Sequence, residues 1–315
     1  MKKILFKLTL LALPLLAYLA FFITFEPNNY FGLKESSAST APIARIKEYV
    51  SEPGDHLIVG DSRFAHFDME LVNATSGETW QNLAFGGASL RESIDLANYI
   101  LDSGNETEEI LLGISFYTLN AGYDKDRMST LEETLTNPLA YMFNLEYNIN
   151  TLTTFTDFLA GREDSEETGD WVAEDYIAAD GSVSELHQVL AVYPATIYPV
   201  CEGWALDTTQ LARLEALAAR CAAEGVALTI VFAPMADNVL TEVCEPLGID
   251  TEMYALLPDL YGWEETYGIT LLDYEWTNRP DFEDDTQFYD GFHLDTRYGL
   301  PQWTEQLFGA VALIS

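Results

Sequence analysis

The stretch that decides the fold is HLIVGDS, which occupies residues 56–62. An apolar run without polar alternation, followed at once by turn residues, is typical of a strand covered on both faces. Ser62 comes directly after this strand, so its hydroxyl and its backbone N–H are expected at the carboxyl end of the strand, facing a cleft. A nucleophile beside an oxyanion hole needs this geometry, although Gly-Asp-Ser is also a common turn with no chemical role.

Similar apolar runs recur along the chain and are separated by helical patterns. Strands are predicted at 109–113, 226–233 and 269–273, and helices at 89–103, 208–224 and about 301–312. The helix at 208–224 has Asp207 or Thr208 as its N-cap and stops at Gly225. Strands that alternate with helices in this way predict an α/β fold, a three-layer α/β/α sandwich with a doubly wound parallel sheet.

The region at about 118–205 breaks this rhythm, because it has no clear βαβ unit. We interpret it as an insertion that caps the carboxyl edge of the sheet, where ligands of such sheets bind. The predicted organisation is therefore a membrane anchor at 1–27, a polar tether at 28–42, and an α/β domain at 43–315 that contains the insertion.

The N-terminus predicts a membrane anchor. Lys2, Lys3 and Lys7 precede the apolar stretch 8–25, and the apolar segment approaches the roughly 20 residues that cross a bilayer. No small-residue cleavage site ends the run, which favours an uncleaved single-pass helix over a signal peptide. Because the lysines precede the helix, the N-terminus is expected in the cytoplasm and the domain outside the cell membrane.

Composition excludes several function classes. The chain carries 15 Lys and Arg against 51 Asp and Glu, a formal net charge of -36, so nucleic acid is not an expected partner. Cys201, Cys221 and Cys244 form either one disulfide and a thiol or three buried thiols. They lack metal-ligand spacing, and no metal or other cofactor is expected.

A second chemical motif, Asp290-Gly-Phe-His293, precedes the last predicted helix. A serine hydroxyl needs a base to take its proton, and an imidazole needs a carboxylate to fix its tautomer. Among the four histidines, His293 has such a carboxylate, Asp290, three residues before it. In a chain this acidic, the pair is also compatible with a surface histidine beside incidental carboxylates.

Together the two motifs resemble the SGNH (GDSL-type) hydrolase superfamily, with GDS near the start of the domain and DxxH at its end. This resemblance implies a three-layer esterase, lipase or carbohydrate acyl-ester enzyme in which Ser62 is the nucleophile, His293 the general base and acid, and Asp290 the orienting carboxylate. The glycine block of the family corresponds to Gly86, with Gly87 close behind, as an oxyanion N–H donor.

The third block departs from the family pattern. The family has Gly-x-Asn-Asp with an oxyanion-binding Asn, whereas this chain has Gly113-Ile-Ser115-Phe116. Ser115 or the later Asn120 is the candidate replacement donor. Arg63, next to the nucleophile, is a candidate for binding a substrate carboxylate or phosphate, and the alternative is an ion pair with an acidic side chain.

The layout resembles a membrane-anchored subset of the superfamily, the D-alanyl-lipoteichoic acid biosynthesis and alginate O-acetylation proteins. It implies an extracytoplasmic serine esterase or O-acyltransferase that acts on an acylated cell-surface carbohydrate, with a membrane-bound O-acyltransferase as partner. A non-catalytic accessory protein that binds a glycan or acyl carrier is the alternative. A secreted lipase, which requires a cleaved signal, is a third possibility.

Overall fold

Five parallel strands form one sheet in the order β2-β1-β3-β4-β5. The computed structural model describes residues 2–33, 41–161, 185–283 and 287–314. The strands are β1 His56–Val59, β2 Trp80–Asn82, β3 Glu109–Ile114, β4 Ala227–Phe232 and β5 Thr270–Asp273. The predicted α/β class with a parallel sheet is confirmed. The three-residue β2 was not predicted as a strand from its own residues, because so short a run has no readable period.

The strand order places a topological switch at β1. The chain runs from β1 to β2 on one side and then returns to β3 on the other side of β1. The crevice at such a reversal, outside the carboxyl ends of the strands, is where ligands of open α/β sheets bind. Ser62 comes three residues after Val59, the last residue of β1, so the fold delivers the candidate nucleophile to this crevice.

Helices connect and cover the strands. Their bounds are α1 Lys2–Phe25, α2 Pro42–Ser51, α3 Met69–Ser76, α4 Leu90–Asp102, α5 Met128–Thr136, α6 Pro138–Met142, α7 Leu145–Ala160, α8 Glu185–Cys201, α9 Thr208–Glu224, α10 Asp237–Val239, a π-helical turn Leu240–Cys244, α11 Glu245–Leu247, α12 Ile249–Tyr267 and α13 Gly299–Val311.

The predicted ends of the α9 helix follow from its capping residues. The Asp207 side chain accepts hydrogen bonds from the N–H groups of Thr209 and Gln210, both at 3.0 Å, and so satisfies two donors that the first turn leaves free. Gly225 ends the helix with φ +76°, a left-handed conformation that glycine adopts without a steric penalty. The predicted bounds 208–224 are confirmed.

Both faces of the sheet are covered. Helices α3 and α13 pack on one another over one face. There Ile58, Leu111 and Val231, from the three central strands, share a buried cluster with Trp303 and Phe308 of α13. Helices α4 and α9 contact strands of the sheet and each other, and α12 continues this second layer. Buried strands with apolar residues on both faces explain why the strand segments show no polar alternation.

The chain divides into two units, each built from separate stretches. The first contains residues 1–47 and 129–169, and the second contains 48–128 and 170–315 together with the whole sheet. Part of the predicted insertion therefore belongs to each unit. Its acidic stretch at 163–170 lies outside the described residues, as does 34–40 of the predicted tether.

The first unit is a helical cluster rich in aromatic side chains. Phe21 and Phe25 of α1 contact Phe155 of α7, with ring centroids 5.2 and 4.9 Å apart. Beyond α1, the Glu26 carboxylate is buried and accepts hydrogen bonds that include one from Tyr141 at 2.8 Å. Tyr30 is also buried and stacks on Tyr141. The first residues of the predicted tether are therefore packed against this unit.

The membrane anchor was predicted from the composition of residues 1–27. Within the described ranges, no helix has both the length and the apolar character that spanning a bilayer requires.

Candidate active site

Ser62 and His293, which are 231 positions apart in the sequence, meet at the carboxyl edge of the sheet. The Ser62 Oγ lies 2.8 Å from the His293 Nε2, a hydrogen-bonding distance. On its other side, the His293 Nδ1 lies 2.8 Å from the Asp290 Oδ2. The three residues predicted as a catalytic set thus form one continuous chain of hydrogen bonds.

A tight turn presents Ser62 to the cleft. The N–H groups of Phe64 and Ala65 donate to the carbonyls of Asp61 and Ser62, at 3.1 and 3.3 Å, and close the turn. Phe64 then packs over Gly113 of β3 so closely that a Cβ at Gly113 would lie 2.2 Å from its ring. A glycine at this point therefore lets the turn approach the neighbouring strand.

The Asp290–His293 loop is held by backbone contacts at its base. The Tyr289 N–H donates to the His293 carbonyl at 2.8 Å, and the Ala236 N–H donates to the Gly291 carbonyl at 3.0 Å. The second contact ties the loop to the segment that follows β4. Gly291 is required by packing, since a Cβ there would lie 2.3 Å from Val239.

Asp290 is arranged to stay ionised. Its Oδ1 accepts hydrogen bonds from the backbone N–H groups of Phe292 and His293, at 2.9 and 2.7 Å. Burial raises the pKa of the Asp290 carboxyl, but the His293 charge and these hydrogen bonds outweigh burial and hold the pKa below its usual value. An ionised Asp290 keeps a proton on the His293 Nδ1 and leaves the Nε2 free to accept the proton of Ser62.

The lowered pKa of Asp290 predicts a pH-dependent contribution to stability. A carboxyl whose pKa is lower in the folded state stabilises the fold above its ordinary pKa, and this stabilisation is lost as the pH falls through the folded-state value. We therefore expect Asp290→Asn to destabilise the protein at neutral pH and the difference from wild type to shrink below about pH 4. Urea unfolding midpoints from pH 7 to 3 measure this, and a constant difference would contradict the prediction.

The segment after β2 carries Gly86, the residue predicted to donate its N–H to an oxyanion. The N–H groups of Leu83 and Phe85 donate to the carbonyls of Ile58 and Gly60, at 2.8 and 3.1 Å, so this segment continues beside the end of β1. It brings Gly86 next to the nucleophile turn. Among the described residues, none accepts a hydrogen bond from the N–H of Ser62 or Gly86, which leaves both donors available.

Gly87 turns the chain after these donors. Its φ of +61° is left-handed, and its carbonyl accepts hydrogen bonds from Arg127 Nη2 at 3.1 Å and from the Tyr123 hydroxyl at 3.2 Å. Arg127 Nη1 also donates to the Gly86 carbonyl at 3.2 Å. In a trans peptide the N–H points opposite the carbonyl, so the contact of Arg127 with the Gly86 carbonyl directs the Gly87 N–H away from the guanidinium.

Ser115 and Asn120, the candidate replacements for the family's third oxyanion donor, both make internal hydrogen bonds. Ser115 is fully buried, and its hydroxyl accepts a hydrogen bond from Arg63 Nη1 at 2.6 Å. Asn120 is buried as well, and its Oδ1 accepts the Gly122 N–H at 3.0 Å within a local turn. These contacts occupy the Ser115 hydroxyl and do not support Ser115 as the replacement for the family's Asn. For Asn120 they occupy the Oδ1 acceptor rather than the Nδ2 donor, so its role as an oxyanion donor stays a prediction.

Arg63 points into the protein rather than toward a ligand. Its Nη1 lies 2.8 Å from Glu275 Oε1, and both side chains are almost fully buried. Its Nη2 donates to the carbonyl of Ala233 at 2.6 Å and to that of Pro234. Of the two sequence-based alternatives, the structure therefore shows the ion pair, and its partner follows β5.

The Arg63–Glu275 pair links the ends of several strands under the site. Burial raises the pKa of the Glu275 carboxyl to about 7, because desolvation outweighs the attraction of the adjacent Arg63 charge. Glu275 Oε2 also accepts the N–H of Phe116, after β3, at 3.0 Å. The Arg63 guanidinium lies 5.5 Å from the ring centroid of Phe292, in the His293 loop. One buried cation thus connects the nucleophile turn with the loop that carries the base.

Sequence reasoning missed the aromatic residues around the site. The Tyr117 hydroxyl donates to the carboxylate of Asp61, the residue before the nucleophile. Its ring contacts Phe292, 5.3 Å away, and Phe292 also contacts Tyr193 at 5.5 Å. Tyr117 and Glu275 each follow the carboxyl end of a strand, and that position is the signal by which they could have been found.

The three cysteines are free and buried, which matches the second of the two predicted alternatives. Within the described part of the chain, no cluster of three or more His, Cys, Asp or Glu side chains is placed to hold a metal ion.

Among known proteins, the chain is similar to several solved structures. No family model matches the chain. No curated protein matches it either. The chain is similar to a candidate lipolytic protein of the G-D-S-L family from Desulfitobacterium hafniense DCB-2, with 7% identity, TM-score 0.37, and coverage of 83% of this chain and 100% of the other.

Two further structures are similar at the same level. A candidate acylhydrolase from Bacteroides fragilis has 8% identity and TM-score 0.37, with 85% of this chain and 97% of the other covered. A candidate platelet activating factor from Streptococcus pneumonia has 11% identity and TM-score 0.36, with 96% and 98% covered. Identities and TM-scores this low do not establish a family, so the side chains of the site carry the functional assignment.

Proposed function

We propose that the chain is an extracytoplasmic serine esterase or O-acyltransferase that acts on acyl esters of a cell-surface carbohydrate through an acyl-Ser62 intermediate. The observation that carries this proposal is the continuous set of hydrogen bonds from the Ser62 Oγ through His293 to Asp290. A serine activated by an imidazole, with a buried carboxylate behind it, is the arrangement that performs acyl transfer on unrelated folds.

The chemistry follows from these contacts. The His293 Nε2 takes the hydroxyl proton as the Ser62 Oγ attacks the ester carbonyl, and the backbone N–H groups of Ser62 and Gly86 stabilise the negative oxygen that forms. The imidazolium then donates its proton to the departing alkoxide, which leaves an acyl-serine. Water or a sugar hydroxyl, deprotonated by the same imidazole, attacks the acyl group and restores Ser62.

Hydrolysis and transfer use the same three residues and differ in which acceptor reaches the acyl-serine. Three parts of the proposal rest on the layout of the sequence, an apolar N-terminal stretch followed by an acidic domain. They are the carbohydrate substrate, the partner O-acyltransferase and the location outside the membrane. Protease accessibility of the domain in intact cells tests the location separately from the chemistry.

A second function, that of a non-catalytic protein that binds a glycan or acyl carrier, is favoured by one observation. The position of the family's third oxyanion donor is occupied by Ser115, which is buried against Arg63. Loss of one such donor costs about 3–4 kcal/mol of transition-state stabilisation. The remaining donors and the three-residue hydrogen-bond chain make the enzyme our first proposal.

A fluorophosphonate probe separates the two functions. We expect the full-length protein to form an adduct on Ser62, located by mass spectrometry, because the His293 imidazole activates that hydroxyl. His293→Ala should abolish the adduct. His56→Ala is the matched control and should keep it, since His56 lies at the opposite end of β1 and is hydrogen bonded to Asp55. A folded wild type without any adduct would favour the binding protein.

A further inference from the structure

A lysine lies beside the oxyanion segment in a strongly acidic protein. The Lys125 Nζ donates to the Gly87 carbonyl at 3.3 Å and to the Tyr123 hydroxyl at 3.1 Å. It also lies 4.6 Å from the centroid of the Tyr123 ring. The Lys125 side chain is exposed and Tyr123 is half-buried, so the ammonium faces solvent at the border of the site.

Neutral groups surround this ammonium at close range. No described carboxylate lies within ion-pairing distance of Lys125. The flanking Asp124 and Asp126 approach Arg91 Nη1 instead, at 3.2 and 3.6 Å. Arg127 is occupied by Glu92, at 2.8 Å. Lys125 therefore presents a positive charge that its acidic neighbours do not neutralise by direct contact.

The loop that carries Lys125 is fixed in place. Glu92 is fully buried, and its Oε1 accepts hydrogen bonds from the Arg127 backbone N–H at 2.7 Å and from Arg127 Nε at 2.8 Å. The Ser89 hydroxyl, at the N-cap of α4, donates to the Lys125 carbonyl at 2.8 Å. A position held in this way presents its charge without a large ordering cost when a ligand binds.

The charge is close enough to act on a bound ester. Gly86 and Gly87 are adjacent, and consecutive residues are spaced by about 4 Å. The Lys125 ammonium, 3.3 Å from the Gly87 carbonyl, is therefore within about 8 Å of the Gly86 N–H. An anion three to seven bonds from the ester carbonyl carbon, on either side of the ester, can span this separation, because each bond is about 1.2–1.5 Å long.

We propose that Lys125 binds an anionic substituent of the substrate, a carboxylate or phosphate near the scissile ester, while the Tyr123 hydroxyl, which donates to the Gly87 carbonyl and accepts from the Lys125 Nζ, positions the ammonium. This inference rests on the proposed ester chemistry and narrows its substrate class. A net charge of -36 repels anionic ligands over the whole surface. An unneutralised cation beside the oxyanion donors offsets that repulsion at the one place where an anionic ester must bind.

The test compares esters that differ in charge. The full-length protein and Lys125→Met are assayed with neutral para-nitrophenyl acetate, with para-nitrophenyl hemisuccinate and with para-acetoxyphenyl phosphate. We expect the ratio of kcat/KM for an anionic ester to that for the neutral ester to fall about fivefold in the variant. The fall caused by Lys125→Met should shrink as salt is added, because screening weakens the attraction to Lys125 in wild type, whereas the repulsion by the acidic surface is common to both proteins. The hemisuccinate carries a carboxylate on the acyl side of the ester, and the aryl phosphate carries a phosphate on the alcohol side. The ester whose ratio falls more in Lys125→Met therefore shows which of these groups Lys125 binds.

Lys47→Met is the matched control, because Lys47 also lies over a tyrosine ring, 4.3 Å from the Tyr30 centroid, and belongs to the other unit. It should leave every ratio at the wild-type value. If both anionic esters gave ratios within twofold of wild type in Lys125→Met, the inference would be overturned. Turnover of the neutral ester in the same assay would still support the proposed function.

Absence of turnover for all three esters would instead count against the proposed function. In that case the binding of small anions tests whether Lys125 forms an anion site. Calorimetric titration of full-length Ser62→Ala with succinate and with inorganic phosphate should show a Kd that rises about fivefold when Lys125→Met is added. An unchanged Kd for both anions, or binding of neither, would overturn the inference.

Discussion

Replacement of Ser62 with alanine is expected to lower kcat/KM for ester hydrolysis by about 10⁴- to 10⁶-fold while leaving the fold intact. Among the described residues, the Oγ hydrogen bonds to the His293 Nε2 alone, and alanine adopts the same backbone conformation. Loss of a nucleophile in a serine–histidine–aspartate set removes the acyl-enzyme route, and only binding and oxyanion stabilisation remain. Hydrolysis of para-nitrophenyl acetate and far-UV circular dichroism measure the two effects.

The serine control is Ser51→Ala, an exposed serine in α2 whose hydroxyl donates to the Glu48 carbonyl. It should keep the wild-type rate. A Ser62→Ala variant that retained more than about a tenth of the wild-type kcat/KM would contradict the acyl-Ser62 intermediate. Asp290→Asn should fall between the two, by about 10⁴-fold, because it disturbs the tautomer of His293 without removing the nucleophile.

Arg63→Met is expected to destabilise the protein by about 3–5 kcal/mol. The substitution removes the cationic partner of Glu275, whose side chain is fully buried, and so leaves in the interior a carboxyl that must stay unpaired or take up a proton. It also removes the donor to Ser115 and to the two backbone carbonyls, of Ala233 and Pro234, that follow β4. The midpoint and slope of urea unfolding measure the loss.

A second substitution separates the buried charge from the other contacts. Adding Glu275→Gln to Arg63→Met removes the unpaired carboxylate, and we expect it to recover part of the lost stability. Arg91→Met is the matched control, since Arg91 pairs with Asp124 at the surface and both side chains are about a third exposed. That loss should stay below about 1 kcal/mol. Equal losses in Arg63→Met and Arg91→Met would contradict the structural role of the buried pair.

Much of the sheet could be predicted from local sequence. Four strands and the ends of α9 were identified because buried strands lack alternation and because capping residues act within one turn of the helix. The strand β2 was not predicted, because a three-residue strand is recognised by its pairing with β1 rather than by its own pattern. The division into two units was not predicted from the sequence either, because contacts between distant stretches of the chain define it.

The candidate site divides in the same way. Ser62 and the pair Asp290 and His293 were identified by their own sequence, because a strand end presents the nucleophile and a three-residue spacing lets one loop carry base and carboxylate. Only the tertiary structure decided that Arg63 and Ser115 bond to each other in the interior. A side chain's partner depends on which strand ends meet at one edge, and that is fixed by sheet order rather than by the neighbouring residues.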